Sequence, residues 1–127
     1  MFADKYLEKN QHKILIDELP KQAPGIIIVI PCLREPELLK TLDSLLECTL
    51  PEKNVEVIVL INHSEDADEE TIRMNTQTKI EADSWIKDHE KDGVRFYAPG
   101  PVRLKKKWAG AGLARKKGMD EAISRFN

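Results

Sequence analysis

The chain has 127 residues, of which 41% are hydrophobic and 33% charged, and its formal net charge is −2. That length holds one domain with one modest core, and the composition is that of a soluble globular protein, not of a disordered or membrane-embedded one. So small a net charge argues against nucleic acid or an anionic membrane as the partner.

Residues 1–24 are mixed. Tyr6, Leu7 and the run Ile14-Leu15-Ile16 fit one side of a helix, or of two short ones, ended by Pro20 and Pro24. They read as an N-terminal arm packed on the domain. "GIIIVIP", Gly25 to Pro31, is a short β-branched run bounded by Gly and Pro, the pattern of a strand buried on both faces. Pro36 stands at a helix start, and Leu38, Leu39, Leu42, Leu45 and Leu46 repeat at helical spacing up to Cys48. "VEVIVLIN", Val55 to Asn62, is a second buried strand. The polar segment Ala67 to Asp88 places Ile72, Ile80, Trp85 and Ile86 on a buried side. Asp92-Gly93 turns the chain into "VRFYAPG", a third, shorter strand, and a helix runs from about Gly112 to Phe126, with Leu113, Ala114, Ala122, Ile123 and Phe126 as its apolar positions. This alternation of strand and helix calls for a mostly parallel sheet with crossover helices, half of a doubly wound α/β domain.

Charge is distributed unevenly. Arg103 to Lys117 carries bases and no acid, while Glu65 to Glu70 carries five acids and no base. The two patches form either a solvated surface or two walls of a cleft. Cys32 and Cys48 lack CxxC spacing and read as structural thiols of a reducing cytosol, which places the protein in the cytoplasm. His12, His63 and His89 show no ligand spacing, so no protein-built zinc site is expected. No run is long enough to span a membrane.

Ligands of such sheets bind beyond the carboxyl ends of the strands, where strand order reverses. Three segments leave those ends: Pro31 to Glu35, Asn62 to Glu70, and Gly100 to Gly112. Gly110-Ala111-Gly112 lets backbone approach a ligand at a helix N-terminus. Arg115 occupies the place of the third glycine of GxGxxG, and Gly118 follows Lys117 where a P-loop needs Ser or Thr, so neither motif is met. Asp66, Asp68 and Glu70 lack the glycine and distal glutamate of a calcium loop; acids at a helix start favour its dipole and need no ligand. Glu35 fits either a helix cap or an acceptor for a sugar hydroxyl.

In order and spacing, "IIIVIPCLREPELLKTLDSLLE", "VEVIVLINHSED" and "GAGLARKKGMDEA" resemble the nucleotide-binding half of family-two glycosyltransferases of the GT-A fold, over about residues 25–125. The resemblance implies a partial Rossmann-like, three-layer domain over residues 25–127. It implies that Pro31, Leu33 and Glu35 line the nucleoside pocket, with Glu35 near the ribose. Asn62 and Ser64 then stand where an aspartate and its neighbours meet the base, and Gly112 and Arg115 face the nucleotide. Lys105, Lys106 and Lys107 suit a diphosphate, a role inferred from their charge and not from the family pattern.

The departures are specific. Arg34 and Lys116 replace asparagines, and Asn62-His63-Ser64 replaces an acidic pair. An amide donates as well as accepts, so the base stays open. The family's strand ending in Asp-x-Asp, which holds magnesium or manganese on the sugar diphosphate, is expected after the last helix and lies outside residues 1–127, as do the acceptor site and its base. The resemblance thus implies a nucleotide-sugar donor and an inverting transfer to a hydroxyl by a larger parent, with these residues alone inactive, holding no catalytic group and no metal. Lacking that strand, Ile26 to Ile30 is expected to form an exposed apolar edge prone to self-association. The alternative is a complete non-catalytic module that binds an acidic partner through the basic 103–117 surface.

Overall fold

A computed structural model describes residues 3–9, 14–16, 24–47, 54–104 and 111–126. Its elements are α1 (Asp4–Lys9), β1 (Ile26–Cys32), α2 (Leu38–Glu47), β2 (Val55–Ser64), α3 (Glu69–Asp88), β3 (Val94–Tyr97), β4 (Val102–Leu104) and α4 (Ala111–Phe126). The chain is an α/β protein with an open parallel sheet in the order β1-β2-β3, and β4 also pairs with β2.

β2 is the central strand, buried from Val55 to Asn62. Val55, Val57, Val59 and Ile61 face one layer, where Leu38 and Leu42 of α2 and Ala82 and Trp85 of α3 close the main core. Both crossover helices therefore lie on the same face, as right-handed connections stepping one way across a sheet require. Trp85 is pinned there by its Nε1–H, which donates to Asp43 Oδ1 at 2.8 Å, and by edge-on contact with Phe96.

α4 covers the other face. Gly118 packs on Val29 of β1 so closely that an added Cβ would lie 2.2 Å from Val29 Cγ1. Glu56, an acid within the buried strand, is answered by Arg125 of α4. Arg125 Nη2 donates to Glu56 Oε2 at 2.9 Å, Nε donates to Oε1, and the guanidinium stacks 4.5 Å over the Tyr97 ring. The Glu56 hydrogen bond raises the Arg125 pKa further, against the opposing effect of burial. Glu121, fully buried on the same helix, accepts from the backbone N–H of Leu15 at 2.9 Å and of Ile16 at 3.1 Å. This clamps the N-terminal arm so that Leu15 packs on Leu60 and Leu104.

Several sequence expectations are corrected. "VRFYAPG" is not one strand followed by a loop: the chain leaves β2 after Tyr97 and returns as β4. Ile58 pairs with Tyr97 and Asn62 with Val102, so five steps of one strand oppose four of the other. Gly100 makes the close approach at φ +109°, where a Cβ would meet Ile61 O and Val102 N, each at 2.7 Å. Ile72 and Ile80 are exposed, because α3 turns Thr71, Asn75, Ala82 and Trp85 inward instead. Phe126 is likewise exposed, as Gly118, Glu121, Ala122 and Arg125 form the packed face of α4. Ile14-Leu15-Ile16 is not helical. β1 is less buried than its pattern predicts: Ile26 is 41% exposed and Ile27 to Pro31 are half-buried. Cys48 lies outside the described residues.

Candidate functional site

β1, β2 and β4 end together, and the three candidate segments leave from there. Ser64 pairs with Leu104, the Glu65 N–H donates to Leu104 O at 2.7 Å, and Arg103 Nη2 donates to Glu65 O at 3.4 Å. The acidic segment and the start of the basic one therefore emerge side by side. Lys105, Lys106 and Lys107 lie outside the described residues.

Asn62 sits at the centre of this end and is 3% exposed. Its Nδ2 donates to Cys32 O and to Leu60 O, both at 3.1 Å, tying the end of β1 to β2. With the amine committed, Oδ1 is left to accept, and no donor among the described residues reaches it. A buried carbonyl oxygen without a donor is uncommon and calls for a physical reason.

Asn75 of α3, fully buried, was not singled out from the sequence. Its Nδ2 donates to Asn62 O at 2.7 Å and its Oδ1 accepts from the Arg34 N–H at 3.0 Å. One amide thus fixes the turn after β1 and the end of β2 together. Arg34 takes φ 50°, the left-handed region, and the Asn75 bond holds it there. The only hint in the sequence is spacing: Asn75 falls at i+4 from Thr71 and i−7 from Ala82, on the inward line of α3.

Pro31 closes β1 half-buried, and Leu33 is 49% exposed beside it. Glu35 is exposed, and its Oε1 accepts from the Glu37 N–H at 2.9 Å, just ahead of α2. Ser64 Oγ donates to Asp66 Oδ1. Gly112 lies in the first turn of α4, and Arg115 is exposed a turn later. Lys116 Nζ pairs with Asp120 Oδ2 at 2.7 Å, so part of the basic run is balanced by its own helix.

Three of the five acids after β2, Asp68, Glu69 and Glu70, belong to the start of α3. Asp68 is the N-cap of α3, and Oδ1 accepts from the Thr71 N–H at 2.8 Å. That bond holds its carboxyl below the usual pKa. Among the described residues no three ligating side chains converge on a possible metal position. Cys32, buried beneath Asn62, has its thiol pushed up to about 11 by burial and by the nearby Glu35 charge; it is a packing residue.

A concavity of about 610 Å³ lies elsewhere, along the outer edge of β3 between Asp83, His89, Arg95 and Tyr97, and includes no candidate residue. Its polar groups are scattered surface charges, whereas the carboxyl ends hold a buried amide network, and the chemistry favours the latter. No helix among the described residues is long and apolar enough to cross a membrane. No family model, curated protein or solved structure matches the chain.

Proposed function

We propose that residues 25–127 form the nucleotide-binding half of an inverting glycosyltransferase that moves a sugar from a nucleotide donor to a hydroxyl acceptor. The observation that supports this reading is Asn62: buried at the carboxyl end of the central strand, with its amine spent on two carbonyls and its Oδ1 open. An acceptor that cannot also donate suits a base that presents an N–H to it, whether a ring N–H, as in uracil, thymine and guanine, or an exocyclic amine, as in cytosine. Pro31 and Leu33 offer the base an apolar wall, Glu35 keeps a second carboxylate oxygen for a ribose hydroxyl, and Gly112 and Arg115 begin the helix that faces the phosphates.

In this reading the magnesium or manganese ion and the base that deprotonates the acceptor come from parts of the polypeptide other than residues 1–127. These residues alone bind nucleotide and turn nothing over. The chain works in the cytoplasm on a small anionic ligand and needs no nucleic acid.

A thermal-shift panel with uridine, thymidine, guanosine and cytidine diphosphates tests the reading. Ligand at a hundred times its dissociation constant stabilises the fold by about 2.7 kcal/mol. A shift with at least one of them, unchanged by manganese and lost in Asn62→Leu, is the expected result. Shifts that persist in Asn62→Leu, or none with any, contradict it.

A further inference from the structure

Asn62 Oδ1 meets no donor among the described residues, yet the residue is 3% exposed. A base therefore cannot reach that oxygen until part of its cover moves. Side chains alternate along a strand, which puts Glu56, Leu60 and Asn62 on one face of β2. Glu56 meets Arg125 of α4, and Leu60 meets Leu15 of the N-terminal arm. Among the described residues, α4 and the arm are thus the cover on that face. Leu15 sits on Leu60, one side-chain step of about 7 Å before Asn62. Val102, which pairs directly with Asn62, packs on the same two leucines as Leu15, Leu60 and Leu104. The arm lies beside the open oxygen.

The two covers are held differently. α4 is seated by Gly118 on Val29 and by the buried Glu56–Arg125 pair. Residues 14–16 belong to no helix or strand, and Ile14 is exposed and Leu15 half-buried. They are tied down by the Leu15 and Ile16 N–H groups, which donate to the two carboxylate oxygens of Glu121, and by the apolar contact of Leu15. A segment with so few buried apolar contacts opens at a fraction of the global stability. The arm is the part of the cover that can lift while the sheet and α4 stay in place.

We propose, on the nucleotide reading of Asn62, that residues 14–16 are an autoinhibitory latch. Seated on Glu121, the arm closes the Asn62 site; a nucleoside diphosphate binds the form in which the arm is lifted. Apparent affinity is then the intrinsic affinity reduced by the fraction of chains with the arm lifted. Loosening the latch removes that reduction. The sign is the reverse of structural damage, because a change that weakens the packing of the arm strengthens ligand binding. Linkage runs both ways, so bound nucleotide unseats the arm.

Calorimetric titration with uridine, thymidine, guanosine and cytidine diphosphates, joined to amide exchange, tests this. Leu15→Ser removes the apolar contact, and Glu121→Gln replaces one of the two accepting oxygens by an amine. Each should lower the dissociation constant of whichever diphosphate binds by about fivefold or more, the lower end of ordinary coupling between sites, with circular dichroism unchanged. In wild type, saturating nucleotide should speed exchange at the Leu15 and Ile16 amides. Binding by the two variants alone, with wild type silent, is the same result at its limit. Dissociation constants unchanged or raised in both variants overturn the latch, as does added protection of Leu15 and Ile16. Where Asn62→Leu still abolishes binding, the nucleotide reading survives that failure. No binding by wild type or by either variant contradicts the reading itself, and the latch falls with it.

Discussion

Asn62 gives hydrogen bonds to the carbonyls of Cys32 and Leu60, so an aspartate there would set a carboxylate against two carbonyl oxygens. Asn62→Asp should lose about 2–3 kcal/mol at neutral pH, the scale of a buried, uncompensated polar group. The sign with pH follows. The native carboxyl would be raised above its unfolded value of about 3.9, so the charge penalty should be absent below about pH 4, grow as pH rises from there and level off above the native value, leaving at low pH only the loss of one of the two donors; urea titrations at several pH values measure it. Cys32, with its thiol near 11, should resist iodoacetamide at pH 8 while denatured protein reacts, as peptide mass spectrometry would show. Asn62 was legible because it ends an apolar strand. Asn75 was not, because its two partners lie 13 and 41 residues away and its neighbours Thr76 and Gln77 are equally polar. Only the fold turns Asn75 inward.

At the scale of elements, the two strands and the helices were legible because β-branched runs and leucine spacing report secondary structure directly, although β1 is only half-buried. The break between β3 and β4 was not, because it depends on a one-residue mismatch with β2 that no local pattern encodes. Gly100 is the residue that makes it possible. Gly100→Ala should be severely destabilising, since the new Cβ meets backbone atoms on two sides at a positive φ, and no side-chain substitution should relieve it. Gly118→Ala is the informative contrast. Its clash is with one methyl of Val29, so the cost should be about 1–3 kcal/mol. Adding Val29→Ala should recover part of it, as a double-mutant cycle would reveal. α3 shows how a helical pattern misleads. Ile72 and Ile80 looked like core, yet the inward line runs through Thr71, Asn75 and Ala82 because the strand ends need an amide there.

Across the whole molecule, α4 returns over the sheet to β1 and ties three regions together. Gly118 seats it, Arg125 neutralises the acid inside β2, and Glu121 holds the arm. Arg125→Met should cost about 3–5 kcal/mol, because Glu56 would remain as a buried, unpaired charge, while the pair Glu56→Leu with Arg125→Met should cost much less. Denaturant unfolding of both variants checks this. The sequence showed α4 as a helix but not this role, since its inward face carries charge where a pattern reader looks for leucines.

The central claim is that the carboxyl ends of β1, β2 and β4 receive a nucleotide through Asn62. The most direct measurement is amide chemical-shift mapping of the labelled chain titrated with uridine diphosphate and, separately, cytidine diphosphate. The account predicts saturable shifts for the Asn62 side-chain amide and the backbone of Leu33 and Ser64 with at least one of the two. Shifts confined to the 103–117 surface, alike for any polyanion, would contradict it and favour a binding module for acidic partners.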